Sequence, residues 1–209
     1  MDFELTDNQK EFVDTVQRFV KTEVLPQILS LERAHAFPWG LIRQAWEMGI
    51  MNLSIPESVK GFSIDAVSSA LIIRELSYGD SGIATSAMCN DLANVVLAQH
   101  GTPAQHAAYL HPFVEAPLMA SFCLTEPGAG SDNSAMTTYM SKRDDGAYIL
   151  NGAKCFITNA SYASQFTVFC KVGNPSGQFM ACVIVPSPPV SDNDDVAAEK
   201  GREITLPTG

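Results

Sequence analysis

A chain of 209 residues, 46% hydrophobic and 17% charged, carries enough apolar side chain to pack one large domain or two modest ones. Its formal net charge of -10 sets a repulsive mean field against polyanions and so excludes nucleic acid as the main partner. A smaller phosphate-bearing ligand, received by backbone N–H groups, stays open.

The opening MDFELTDNQK is acidic where a secretory or organelle leader is basic, and no apolar run reaches membrane-spanning length. These features predict a soluble cytoplasmic protein with no membrane partner. The five cysteines, Cys89, Cys123, Cys155, Cys170 and Cys182, have no CxxC spacing and sit among apolar or small residues, which predicts reduced thiols rather than disulfides or a metal site.

Thr6 followed by Gln9 fits a capping box, and Phe12, Val13, Val16, Phe19 and Val20 continue at helical spacing. A second helix is predicted with Pro38 in its first turn, a stripe of Leu41, Ile42, Ala45 and Trp46, and Gly49 as a left-handed terminator. Ser63 is the expected cap of a third helix through Leu71, Ile72 and Leu76, with Gly79 beyond its end. A fourth runs from about Ser81 toward His100 and Gly101, and a fifth, short helix opens at Thr102-Pro103 and is closed by Pro112.

After Pro117 the pattern changes to strands. Residues 118–124 are a continuous apolar run. Tyr148-Ile149-Leu150 and Cys155-Phe156-Ile157 flank Asn151-Gly152, which predicts a hairpin with its turn at that dipeptide. Residues 166–172 and 179–185 read as two further strands, and the polar, proline-rich remainder as a loosely held tail. The expected organisation is a helical domain over 1–116, a β domain over 117–185 and a tail over 186–209.

The stretch FCLTEPGAGSD, residues 122–132, stops a buried strand and turns sharply. Gly128 and Gly130 permit close approach, while Thr125 and Ser131 add hydroxyls, so the loop can aim N–H groups at a flavin edge or a pyrophosphate. Taken by itself, a generic Glu-Pro-Gly-x-Gly favours the plainer reading of a tight turn after a buried strand. The loop is neither a Walker loop nor a dinucleotide fingerprint, since it lacks Gly-Lys-Ser/Thr, a third glycine and a following helix. The four histidines, His35, His100, His106 and His111, include no i,i+4 pair and read as solvated helix-end residues.

FCLTEPGAGSD together with NGAKCFITNA closely resembles the flavin-binding middle domain of the acyl-CoA dehydrogenase family. The helical first half, opening DFELTDNQKEF, is similar to that family's amino-terminal domain, and the resemblance spans residues 2–185. It implies an α+β fold, a helical bundle followed by an antiparallel β barrel or sandwich, and FAD as cofactor. It implies that Phe122, Cys123, Leu124, Thr125, Gly130 and Ser131 lie along FAD, with Ser131 also near acyl-CoA. Thr158 is implied to stand at flavin N5, with Ile157 beside it and Phe156 as an aromatic wall where the family usually has tryptophan. Met88, within residues 86–92, is implied to wall the acyl tunnel.

The family reaction converts acyl-CoA to trans-2-enoyl-CoA and hands electrons to an electron-transfer flavoprotein. Its carboxylate base is implied to lie downstream in a carboxy-terminal helical domain that this sequence does not contain, so no catalytic residue is assigned. The expectation is either a truncated product or a chain completed by a separate carboxy-terminal partner chain; homo-oligomer formation stays open, with a tetramer disfavoured because the family assembles largely through the absent domain. Two alternatives stay open: a non-catalytic module that pairs with another chain, and a flavin monooxygenase or oxidase on the same scaffold.

Overall fold

The computed structural model describes residues 4–187. The chain divides into two compact units, Met1–Pro117 and Leu118–Gly209.

Helix α1, Asp7–Phe19, opens with the expected capping box: Thr6 Oγ1 accepts from the Gln9 amide (3.2 Å) and Gln9 Oε1 accepts from the Thr6 amide (3.1 Å). It does not stop where its apolar stripe ends. A single π turn, Val20–Val24, carries it into α2, Leu25–Ala34, which the sequence reading does not contain. Pro26 accounts for the omission, because proline lacks a donor and crowds the carbonyl four residues back. The widened turn, in which the Leu25 amide reaches Val20 O, lets the helix pass through it. His35, at φ 50, ends α2 in the left-handed conformation.

Helix α3 is Trp39–Glu47, with Pro38 just before its first residue rather than within its first turn, and Gly49 takes the expected left-handed φ of 70°. Helix α4, Ala66–Gly79, is capped by Asp65, whose Oδ1 accepts from the Val67 (2.9 Å) and Ser68 (3.0 Å) amides. Ser63 is therefore not the cap; it is itself left-handed, at φ 47, and Gly79 closes the helix from within. Asp80 caps α5, Ser81–His100. Helix α6, Pro103–Tyr109, starts at Thr102-Pro103 as expected, with Thr102 capping through a capping box with Gln105, but Pro112 opens a further helix, α7 (His111–Glu115), instead of closing α6.

The helical core includes Ile42, Ile72, Leu76, Ala87, Leu110 and Phe113. One polar thread crosses it. Asn90 Nδ2 donates to Asn52 Oδ1 (2.9 Å), Asn52 Nδ2 donates to Phe113 O (3.1 Å), and Trp46 Nε1 donates to the same carbonyl (2.9 Å).

Among its described residues the second unit forms a five-stranded sheet of β1 (Met119–Cys123), β2 (Tyr139–Lys142), β3 (Tyr148–Asn151), β4 (Ala163–Val172) and β5 (Met180–Pro186). Strand β4 is its spine, with β5 antiparallel along one side and, on the other, β1 parallel to its first half and β2 parallel to its end. The sheet is mixed and not wholly antiparallel, because the long connection between β1 and β4 works as a crossover. Cys123, Ala163, Phe166, Val168 and Val185 form its core on one face, with Leu150, Ile157 and Val183 packed against them.

The predicted hairpin is not there. Strand β3 pairs antiparallel with β2, and the turn between them is Arg143–Ala147, with Gly146 at φ 88. Residues 155–157 form no strand. Gly152 is needed for another reason. At φ 146, an added Cβ would lie 2.6 Å from Thr138 Cα, so the glycine lets the chain leaving β3 cross the entry to β2.

Cys89, Cys123 and Cys170 are buried free thiols, and Cys155 and Cys182 are half-buried free thiols. His106 and His111 are half-buried rather than solvated: a ring nitrogen of His106 lies 2.8 Å from Leu97 O, and His111 pairs with Glu115 one turn on. Among the described residues no helix is long and apolar enough to cross a membrane, and no group of three or more ligating side chains could hold a metal ion. The expected tail lies outside the described residues from 188 onward.

Candidate functional site

Where β1 ends, the chain folds back on itself within four residues. The Glu126 amide donates to Ala129 O (2.9 Å) and the Ala129 amide donates to Glu126 O (3.1 Å), which lifts Pro127 and Gly128 to an exposed tip. Gly130, Ser131 and Asp132 follow, all exposed. Asp132 Oδ1 accepts from the Ser134 amide (3.0 Å) and hydroxyl (2.5 Å), bonds that start a short 3-10 turn and hold the Asp132 carboxyl below its usual range. Added side chains at Gly128 or Gly130 would meet nothing within 4 Å, so open space stands over this stretch of backbone. No hydrogen bond to another described residue engages the amides of Gly128, Gly130 or Ser131.

Glu126 is the acid at the centre of the bend, and its side chain is only 3% exposed. Oε2 accepts from the Thr137 amide (2.7 Å) and hydroxyl (2.9 Å), while Oε1 accepts from the Thr138 amide (2.9 Å) and the Lys154 ammonium (2.8 Å). Burial alone would raise this carboxyl. The Lys154 ammonium and the donors of Thr138 and Thr137 outweigh burial and hold it far below the ordinary carboxylate range.

The second segment, 154–159, runs antiparallel beside 120–126, held largely by side-chain bonds in place of a strand ladder. Lys154 Nζ donates to Leu124 O (2.9 Å) and the Cys155 amide to Thr125 O (3.0 Å). Ser121 Oγ donates to Thr158 O (2.8 Å), and Asn159 Nδ2 reaches Ala120 O at 3.5 Å. This pairing is where residues 155–157 go instead of into a hairpin with β3. Ile157 turns into the sheet core. Phe156 turns outward, 94% exposed, with its backbone in the left-handed region at φ 57, a conformation costly for a bulky side chain.

The structure thus brings the stretch holding Phe122, Cys123, Leu124 and Thr125 beside that holding Phe156, Ile157 and Thr158, with Gly130 and Ser131 following past the bend, and their side chains divide into distinct surroundings. The Phe122 ring packs on Phe169, with centroids 5.0 Å apart, while Cys123 and Ile157 face the core. Thr125 and Thr158 are half-buried along the seam, and Gly130, Ser131 and Phe156 are exposed. Met88 is half-buried on α5 in the helical unit. A cavity of about 710 Å³ in that unit is lined by Ile28, Leu31, Asp80, Ile83 and Ser86, and Met88 does not line it.

Sequence reasoning passes over Lys154, Ser121 and Asn159. A signal was available for the lysine: a lone cation among small and apolar residues in NGAKCFITN, opposite a motif whose bend holds one acid.

The family model for the acyl-CoA dehydrogenase amino-terminal domain matches residues 6–116, and that for the acyl-CoA dehydrogenase middle domain matches residues 121–204. The chain belongs to the acyl-CoA dehydrogenase family. A probable medium-chain specific acyl-CoA dehydrogenase of Caenorhabditis briggsae, described as mitochondrial, is 32% identical over 97% of this chain and 49% of its own length. Butyryl-CoA dehydrogenase from Megasphaera elsdenii superposes with a TM-score of 0.82 at 32% identity, over 90% of this chain and 50% of that one. An acyl-CoA dehydrogenase from Bacillus anthracis, solved in complex with FAD, gives a TM-score of 0.76 at 32% identity, over 88% of this chain and 32% of that one. The chain spans about half the length of the curated relatives it matches. Within the family's architecture, the helical unit is the amino-terminal domain and the mixed sheet is the middle domain.

Proposed function

We propose that the seam between residues 122–131 and 154–158 is an FAD-binding surface, and that this chain is the cofactor-bearing part of an acyl-CoA dehydrogenase. The reaction is oxidation of an acyl-CoA to its trans-2-enoyl form, with electrons passed to an electron-transfer flavoprotein. The observation that carries this reading is Phe156. A nearly fully exposed aromatic ring on a strained backbone contributes little to the fold, so its place is explained by a flat ligand laid against it.

The residues present suit such a group. Exposed residues Gly128, Gly130 and Ser131, with the Ser131 hydroxyl, offer donors to phosphate or ring oxygens, and Thr125 and Thr158 are half-buried in the paired segments that lead to them and to Phe156. Bound FAD supplies the hydride acceptor for the bond being oxidised. Thr158 is assigned to the flavin edge, Ser131 to the phosphates and the acyl-CoA, and Met88 to the wall beside the acyl chain.

The test is a titration of the purified chain with FAD, followed by addition of acyl-CoA without oxygen to the chain completed by a carboxy-terminal helical half. Stoichiometric flavin uptake and bleaching of the flavin band are expected. A chain that takes up no FAD ends this reading. Flavin that stays oxidised under acyl-CoA but generates peroxide in air moves the function to an oxidase.

A further inference from the structure

The Lys154–Glu126 pair is nearly closed to solvent, with side chains 10% and 3% exposed. Burying two charges costs about as much as their attraction returns, so such a pair is poor evidence of stabilisation for its own sake and asks what geometry it holds. Here the geometry is specific. The ammonium donates to Leu124 O on one side of Thr125 and to Glu126 Oε1 on the other, while the neighbouring Cys155 amide takes the carbonyl of Thr125 itself. The same carboxylate anchors residues 137 and 138, where the chain enters β2. Two residues beyond the lysine stands Phe156, and four beyond stands Thr158.

We propose that Lys154 is a positioning residue for the cofactor. It does not touch the flavin; it clamps both flanks of Thr125 and thereby sets the spacing between the 124–131 loop and the Phe156–Thr158 edge. This inference rests on the FAD reading above. Misplacing a binding element by a fraction of an ångström is enough to matter, because affinity depends on several contacts being met at once.

The experiment compares the parent chain with Lys154→Met and with the double variant Lys154→Met/Glu126→Gln, each checked for folding by circular dichroism and thermal melting. FAD affinity and the bound-flavin absorption spectrum are the readouts. Lys154→Met is expected to lose both stability and affinity, the latter by roughly tenfold to a hundredfold. The double variant leaves no unpaired buried charge, so its melting temperature recovers, but its affinity and spectrum stay displaced because the clamp on Leu124 O is gone. Recovery of affinity and spectrum together with stability overturns the proposal, as does a folded Lys154→Met with parental flavin properties.

Hydrogen exchange on the parent gives a readout that needs no variant. Bound FAD is expected to slow the amides of 124–131 and 154–158 together, and slowing confined to one segment overturns the joint positioning. A parent that takes up no FAD sinks the function itself, whereas a parent that binds and a variant that binds equally well sink only the role of Lys154.

Discussion

Lys154 and Glu126, 28 residues apart in sequence, meet at 2.8 Å in a pocket that excludes almost all solvent, and the Glu126 carboxyl is held far below its usual range. The sign of the pH effect follows. A carboxyl whose folded-state pKa is depressed favours folding in its ionised form, so its contribution is complete above the unfolded value of 4.5 and is lost as pH falls below it. The unfolding free energy of the parent should therefore decline on acidification through that window. Asp65 and Asp132 are also depressed and will contribute to the decline, but they are common to parent and variant. Glu126→Gln should show a flatter profile there and a lower stability at neutral pH, by about 3–5 kcal/mol, the cost of stranding one member of a buried pair. Urea titrations at a series of pH values measure both; parallel profiles would mean the carboxylate is not stabilised by its surroundings.

Two glycines of the β unit separate architecture from ligand approach. Gly152→Ala forces a methyl to 2.6 Å from Thr138 Cα at φ 146, so a loss of about 1–3 kcal/mol is expected. Gly128→Ala meets nothing within 4 Å and should stay within about 0.5 kcal/mol of the parent. Equal losses at both positions in denaturant titrations would contradict the assignment of Gly152 to a backbone crossing.

Most of the helical unit was legible because helix starts are local. Thr6, Thr102 and Pro103 act within a single turn, and their signals sit next to the residues they cap. Helix α2 was hidden because Pro26 reads as a break unless the turn before it can widen, and that depends on Val20 and Val24 finding burial in the helical core. Asn151-Gly152 was misread for a related reason: tolerance of positive φ marks where a turn can occur, but the partner of β3 is chosen by the sheet. Both segments of the candidate site stood out through their motif resemblance. The pair that joins them did not, since no periodicity links Lys154 to an acid so far away.

The asparagine thread in the helical unit gives a prediction independent of any cofactor. Removing the Asn90 side chain by Asn90→Ala leaves Asn52 Oδ1, in a 5% exposed residue, without its donor. An unsatisfied buried acceptor costs about 1–3 kcal/mol. The thermal transition of the helical unit should drop accordingly while FAD uptake by the folded protein is retained; an unchanged transition would show that another donor replaces the lost one.

Thr158 meets β1 through its carbonyl, which accepts from Ser121 Oγ, so Thr158→Val preserves this bond while removing the hydroxyl. Folding of the variant is checked first by thermal melting. If the hydroxyl faces the flavin edge, FAD retention through gel filtration falls or the reduction potential of the bound flavin moves. Parental retention and potential together would remove Thr158 from the cofactor surface.

Phe156 gives the sharpest separation between fold and function. Its ring is 94% exposed, so truncation forfeits almost no burial, and its φ of 57° is one that glycine adopts without penalty. Phe156→Gly should be neutral or slightly stabilising in denaturant titrations, within about 1 kcal/mol. The same substitution should weaken FAD binding and raise the fluorescence of the flavin that remains, because a wall against its ring system is gone. Phe156→Trp keeps the wall and adds an indole donor, so it should retain affinity while shifting the flavin spectrum. A glycine variant that binds FAD as tightly as the parent, with an unaltered spectrum, would leave the strained and exposed ring without a role in the cofactor site.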